Sequence, residues 1–457
     1  MQALPRCAGV RPATTAAAVV VWRSVARPGS RNASFVCSSC LNASNRTFSS
    51  SSRCSTTDND NNRAPAPTAP TAPTAPPPSS GYAALPSRRL ISIAGAEAAK
   101  FLQGMITSNM ADLTTTTSQR LAAAGFYTGF LQATGRVLYD VFVYPDRLGL
   151  GPADGPPASA FLVECDDARA GALMRHLKKY KLRSKFKFRL LDPEECLVWQ
   201  AWDDAAYSAS RDGTTEDGAD KIITNLLPDQ HGKIVLRDPR SPTMGLRVLG
   251  RGNDTPQVQA EPSDADAYRI RRYLDGVAEG ATEIQPDAAL PLEANMDWMG
   301  GIDFRKGCYL GQELTIRTKH RGVVRKRILP VVLYGENEAP PETLEYKPSA
   351  TPEGGLSAAE VPRLLSIGRT GKKGRSAGSF LDGVGNIGLG LCRLQMMTDV
   401  QLPGEAETAP FDPSKEFLMQ WGGDEEGNGA RKLKVKAFVP EWLRSKISEG
   451  NEGAPKS

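Results

Sequence analysis

Residues 64–80 run Ala-Pro-Ala-Pro-Thr-Ala-Pro and onward, with no side chain larger than proline or threonine. Proline fixes φ and removes a backbone donor, so such a tract stays extended and solvated. Whatever folds in this chain therefore folds after it, from near Tyr82. The segment in front is just as restrictive. Residues 1–57 carry Arg6, Arg11, Arg23, Arg27, Arg31, Arg46 and Arg53 among Ala, Ser and Thr, without a lysine or an acid. An Arg-rich, Ser-rich, acid-free leader follows an inside-negative potential, which is the composition of a mitochondrial transit peptide. A secretory signal is the rival reading. The apolar run from Ala16 to Trp22 is short, however, and Arg23 and Arg27 follow it closely.

The formal net charge of +5 is smaller than those seven arginines alone supply, so the remaining 400 residues are slightly acidic. That gives no support to a nucleic-acid-binding domain. No apolar run approaches the ~20 residues of a membrane-spanning helix. Of eight cysteines, Cys7, Cys37, Cys40 and Cys54 belong to the leader or its edge. Cys165, Cys196, Cys308 and Cys392 are too far apart for a zinc pattern or a disulfide framework. Any thiol chemistry rests on a single cysteine in a reduced interior.

The body reads as an α+β domain over 82–327, a small β-barrel over 328–445 and a disordered tail at 446–457, with the linker at 58–81. Leu90 to Ile93 reads as a strand. Gly95 to Ser108 reads as a helix with Ala98, Phe101, Leu102 and Met105 on one face. Phe126 to Phe130 and Val137 to Tyr144 read as paired strands around the turn Gln132-Ala-Thr-Gly135. Asp167 to Tyr180 is a helix burying Leu173, Met174 and Leu177, with a basic outer face. A further helix is capped by Ser263 or Asp264 and carries Ala267, Ile270, Leu274 and Val277. Beyond Ile328 come short strands: Leu329 to Tyr334, Leu365 to Thr370, Ile387 to Arg393 and Leu433 to Phe438. Low-complexity stretches at 149–159, 203–220, 250–261 and 335–378 read as surface insertions.

Gly383-Val-Gly-Asn-Ile-Gly388 spells a dinucleotide fingerprint, but a strand follows it where a helix is required, so it reads as a β-turn. His176, His231 and His320 are isolated, and Gly371-Lys-Lys-Gly374 lacks the spacing of a P-loop.

The most informative stretch is Leu290 to Pro330. It holds Leu290-Pro-Leu-Glu293-Ala-Asn295, Lys306-Gly-Cys-Tyr-Leu-Gly-Gln-Glu313 and a basic run of Arg317, Lys319, Arg321, Arg325, Lys326 and Arg327. Gly307 would permit a close backbone approach. A helix from Tyr309 to about Thr318 would place Cys308 at its first turn, pairing Cys308 with Gln312 and Tyr309 with Glu313 on shared faces. Free amides there, and the Lys306 ammonium, favour a thiolate. A buried cysteine acting as a small hydrophobe is the alternative. The basic run reads as a solvated face or as a surface that steers an acidic partner.

Lys306-Gly-Cys-Tyr-x-Gly-Gln-Glu313 resembles the signature of the YgfZ-like, folate-binding-type family, and the chain looks like its mitochondrial branch. Phe101-Leu-Gln-Gly104 with Thr107-Ser-Asn109, and Gly135-Arg-Val-Leu-Tyr-Asp140, are similar to other parts of that family. The resemblance spans about Leu85 to Leu443. It implies α+β subdomains around a central cavity plus a C-terminal barrel, as in the glycine-cleavage T-protein. It implies an accessory role in assembling [4Fe-4S] proteins in the mitochondrial matrix, more as an assembly factor than as a turnover transferase. The implied partners are A-type iron–sulfur carriers and client [4Fe-4S] apoproteins, with no nucleic acid. Cys308 would be the working thiolate, either ligating a transient cluster shared with a partner or exchanging thiols during its transfer. Lys306, Gly307, Tyr309, Gly311, Gln312 and Glu313 would support it. Tetrahydrofolate is the possible cofactor, with Asp140, Glu293 and Asn295 as candidate cavity residues. Leu274 stands where the related transferases carry a glutamate. The competing readings are a tetrahydrofolate-dependent one-carbon transferase and a non-catalytic scaffold.

Overall fold

The computed structural model describes residues 75–452, apart from 115–123, 152–158, 210–223, 253–254, 349–354, 371–374, 401, 403–410 and 424–428. The expected transit peptide, most of the linker and residues 453–457 lie outside the described residues. The described residues belong to one unit, Thr68–Ser457.

Two five-stranded sheets and a closed barrel carry the chain. One sheet has the order β3-β4-β5-β2-β6: β2 (Arg88–Ala94), β3 (Phe126–Leu131), β4 (Val137–Pro145), β5 (Ala160–Asp166) and β6 (Lys187–Leu190), all antiparallel. The other has the order β10-β1-β7-β9-β8: β1 (Ser80–Ala84), β7 (Cys196–Asp203), β8 (Lys233–Arg237), β9 (Leu246–Arg251) and the short β10 (Glu261–Pro262). The Pro-rich tract thus gives way to regular structure at Ser80, where the Pro78 carbonyl already accepts from Trp202 Nε1 at 2.8 Å.

The expected helices are present with shifted ends. Helix α1 (Ala98–Met105) buries Ala98, Leu102 and Met105, and Phe101 leans on Phe186 with ring centroids 4.7 Å apart. Helix α2 (Asp167–Lys181) buries Ala170, Leu173 and Leu177, and leaves Met174 only half-buried. In α3 (Ala265–Asp275) the cap is Asp264, which accepts from the Ala267 amide, and Gly276 ends the helix in the left-handed region.

The barrel closes in the order β11-β14-β13-β12-β15-β16: β11 (Lys326–Tyr334), β12 (Ser366–Arg369), β13 (Gly378–Val384), β14 (Ile387–Arg393), β15 (Phe417–Trp421) and β16 (Arg431–Ala437). The glycine-rich segment joins β13 to β14, with Val384 paired to Ile387 across Gly385-Asn386. Gly385 takes φ +56°, as a two-residue hairpin turn requires. The glycines are a turn, not a phosphate cradle. The boundary placed at 446 falls inside a helix (Glu441–Glu452) whose Leu443 and Ile447 are buried against the barrel core. Apolar residues spaced four apart there are covered by the barrel, which charge-rich composition concealed. No helix among the described residues is long and apolar enough to cross a membrane.

Candidate functional site

Helix α4 runs Gln312–Arg321, three residues shorter at its start than the sequence pattern suggests. The reason is Gly311. It sits at φ +81°, and a Cβ added there would collide with the Gln132 carbonyl oxygen in the β3–β4 turn. Gly135, at φ +84°, has Leu314 within 2.7 Å of where its own Cβ would lie. Two turns far apart in sequence pack so closely that only glycine fits either. The handedness of Gly311 breaks the helix in front of Gln312. Cys308 therefore lies in the preceding loop, not in a helical first turn, and the expected helix-face pairs with Gln312 and Glu313 do not form. Gln312 instead closes its own turn, its Oε1 accepting from the Tyr309 amide at 3.3 Å. Glu313 is exposed in the first turn of α4, where a carboxylate suits the helix dipole.

The Lys306 ammonium is taken up by backbone carbonyls. Its Nζ donates to the carbonyls of Gln103 and Ile106 at 2.7 Å and of Ser108 at 2.9 Å, all at the end of α1. The ammonium also lies 4.9 Å from the Tyr309 ring centroid. Burial pulls its pKa down to about 8. Tyr309 is buried, and that burial pushes its phenol up to about 12. The Leu310 amide donates to the Gly104 carbonyl at 3.0 Å. The motif loop is thus pinned to α1 on both sides of residues 307 and 308. Gly307 has open space where a Cβ would go, so the close approach belongs to Gly311 and not to it. Cys308 is exposed, whereas Cys165, Cys196 and Cys392 are buried. Burial pushes those three thiols up to about 12. The buried-hydrophobe alternative for Cys308 is thereby removed.

Glu293 and Asn295 both meet Ile328 at the start of the barrel, whereas Asp140 bonds Arg88 and the Gly280 amide. Glu293 pairs with Lys326 at 3.3 Å. Asn295, fully buried at φ +59°, donates Nδ2 to the Ile328 carbonyl at 2.7 Å and fastens its loop to the first barrel strand. Arg327, expected in a solvated face, is buried, bonded to Asp297 at 2.8 Å and stacked over Trp298. Arg317, Lys319 and His320 remain exposed.

Asp140 belongs to a buried network that the sequence reading missed. Arg247 reaches Glu164 at 2.6 Å and Glu279 at 3.0 Å. Arg88 reaches Glu164 at 2.7 Å and Asp140 at 3.3 Å. Arg240 bonds Asp238 and Glu279, each at 2.7 Å. Tyr268 and Tyr144 hydroxyls donate to Glu279 and Glu164. Burial alone would raise these carboxyls. For Glu164 the arginines outweigh it, and for Glu279 they do so by a wide margin, holding both below the usual range. For Asp140 burial wins and lifts the carboxyl to about 6. The only sequence trace is a charge interrupting an apolar strand, as in Leu246-Arg247-Val248-Leu249. Both Asp140 oxygens are engaged, by Arg88 and by the Gly280 amide at 3.1 Å, and Leu274 supplies no carboxylate. The second carboxylate that would meet a pterin's ring N–H groups is missing, and Asp140 is buried between Arg88 and the Gly280 amide, so these residues do not fit tetrahydrofolate.

Fold and site together define a class: layered α+β sheets joined to a closed six-stranded barrel, with a glycine-locked loop presenting one exposed thiol. Residues 325–445 match the family model described as CAF17, C-terminal beta-barrel domain. The protein of Pyricularia oryzae named "Iron-sulfur cluster assembly factor IBA57 homolog, mitochondrial" is 50% identical over 378 residues, covering 82% of this chain and 88% of its own length. Proteins of the same name are 46% identical in Neurospora crassa (80% and 81% covered) and 44% identical in Aspergillus fumigatus (82% and 84% covered). The chain belongs to this family of mitochondrial iron–sulfur cluster assembly factor homologs. Among solved structures, the glycine cleavage system aminomethyltransferase T of Bartonella henselae aligns with a TM-score of 0.49 at 13% identity, over 79% of this chain and 86% of that one.

Proposed function

We propose that this chain acts in the mitochondrial matrix as an accessory factor in the assembly of [4Fe-4S] proteins, and that Cys308 is its working group. The observation that carries the reading is the contrast between Cys308 and the other described cysteines: it alone among them is exposed, on a loop held at Lys306 and Leu310. The names of the relatives support the process. Cluster irons need about four protein ligands in all, and one thiolate supplies one. Among the described residues no group of three or more His, Cys, Asp or Glu side chains is placed to hold a metal ion. The remaining ligands come from outside: from an A-type carrier on arrival of the cluster and from the client apoprotein on its departure. The cluster is cargo, shared at an interface. The chain's own part is to hold the thiol forward and to keep the loop from collapsing onto it.

Complementation tests this. Cells depleted of the native protein receive wild type or Cys308→Ser at equal abundance. A matrix [4Fe-4S] enzyme is compared with a [2Fe-2S] enzyme. Selective loss of the [4Fe-4S] activity is expected. Full rescue by the variant would sink the thiolate role and favour the scaffold reading.

A further inference from the structure

Between Asp167 and Asp192 the sequence has no carboxylate but nine lysines and arginines. The fold gathers most of that run onto one surface, while Arg189 pairs with Glu195 and Arg169 lies over the Tyr139 ring. The last turns of α2, the loop over residues 182–186 and β6 form it, and β6 is the edge of its sheet, hydrogen-bonded to β2 alone. Arg175, Lys178, Lys179, Arg183 and Lys185 are all exposed. Two cations are held against rings: Lys179 Nζ lies 5.3 Å from the Tyr180 centroid, and Lys181 Nζ lies 5.4 Å from that of Phe186. At the tip, between helix and strand, stands Leu182. It is 87% exposed and adopts φ +46°. A positive-φ position of this kind in a solvated turn favours glycine. A bare leucine there satisfies neither the backbone nor the core.

The aromatic residues of this stretch do not offer base-stacking faces. Phe186 is buried, Phe188 is half-buried and packs on it with centroids 6.0 Å apart, and Tyr180 packs on His176 with centroids 4.8 Å apart. Stacking platforms for single-stranded nucleic acid are therefore missing from this surface. Of the acids at its rim, Glu97 accepts from the Lys185 amide, Asp167 bonds Arg89, Glu195 pairs with Arg189, and Asp192 stands exposed beside Arg89. What is left is an apolar tip in a field of cations. That combination suits the boundary of an anionic bilayer, where a large apolar side chain enters the headgroup region and lysines and arginines lie at the phosphates.

The geometry points to a reversible docking of this surface, through Leu182 and its ring of cations, onto an anionic phospholipid membrane. No span is involved, and Cys308 plays no part in it. The contact would hold the chain at the membrane surface without committing it there.

Co-sedimentation of the full chain with vesicles tests the idea, using phosphatidylcholine alone and equal parts of phosphatidylcholine and phosphatidylglycerol. Binding to the anionic vesicles only, weakened by salt, is expected. Leu182→Gly suits the backbone and removes the apolar tip, and it lowers partitioning about tenfold. The combined Lys178→Gln, Lys179→Gln and Arg183→Gln variant lowers it on the order of a hundredfold, at about fivefold per cation. Neither lowers the thermal midpoint. Equal binding to neutral vesicles, or no vesicle binding at all, overturns the proposal. So does anionic binding that survives both variants, which would place it elsewhere, for instance in the arginine-rich residues 1–57. Salt-dependent binding of homopolymeric RNA that ignores Leu182→Gly, with vesicles left unbound, would make this a general polyanion surface and also overturn it.

Discussion

The Lys306 ammonium donates to the Gln103 carbonyl at 2.7 Å, joining residues 203 apart in sequence. With the Ile106 and Ser108 carbonyls it completes a three-point clamp of the motif loop on the end of α1. Lys306→Met leaves three carbonyls of the helix end without that donor, and it costs about 2–3 kcal/mol in chemical denaturation. Lys306→Arg does not rescue it, because a planar guanidinium cannot converge on three carbonyls as a tetrahedral ammonium does. Full stability in Lys306→Met would show the clamp to be idle.

The two motif glycines divide sharply. Gly311→Ala meets the Gln132 carbonyl in a left-handed backbone and loses about 2–4 kcal/mol. Gly307→Ala enters open space on ordinary backbone and stays within ~0.5 kcal/mol of wild type. Thermal unfolding of the pair decides it, and equal losses would contradict the packing described.

Alkylation separates the thiols. With the chain folded, iodoacetamide is expected to label Cys308 first among Cys165, Cys196, Cys308 and Cys392. The three buried thiols react only with unfolding. Peptide mapping over time reads this directly. Early labelling of Cys165 or Cys392 would mean that the core opens far more readily than its packing implies.

The buried carboxyls give opposite pH slopes. The Asp140 carboxyl is raised to about 6, so the folded state holds more protons than the unfolded between roughly pH 4 and 6. Its contribution is greatest below that window and declines as pH rises through it. Glu164 and Glu279 are lowered, so their contributions are present above the ordinary carboxyl range and are lost as pH falls. Urea unfolding of wild type and Asp140→Asn at pH 4 and pH 7 tests the first sign. The advantage of wild type over the variant shrinks by about 2–3 kcal/mol between the two. A constant difference would refute it.

Much was settled locally. The linker's prolines fix where folding begins, and Ala98, Leu102 and Met105 mark α1 by their helical spacing. The turn at Gln132–Gly135 is visible between its two strands, and β14 keeps the ends assigned to it from sequence. The Lys306–Glu313 motif points to a family that close relatives then show. These features depend on residues within a few positions of one another, so a linear reading reaches them.

Three things only the tertiary structure decided. Cys308 lies outside α4 because the Gln132 carbonyl, on a distant hairpin, leaves room at residue 311 for glycine alone. Arg88, Arg240 and Arg247 are buried because Asp140, Glu164 and Glu279 converge on them from other strands and loops. The helix Glu441–Glu452 exists because the barrel covers Leu443 and Ile447. In each case the deciding interaction joins segments far apart in the chain. Periodicity and turn chemistry report only which conformations a segment permits; desolvation, steric exclusion and charge pairing by remote neighbours select among them.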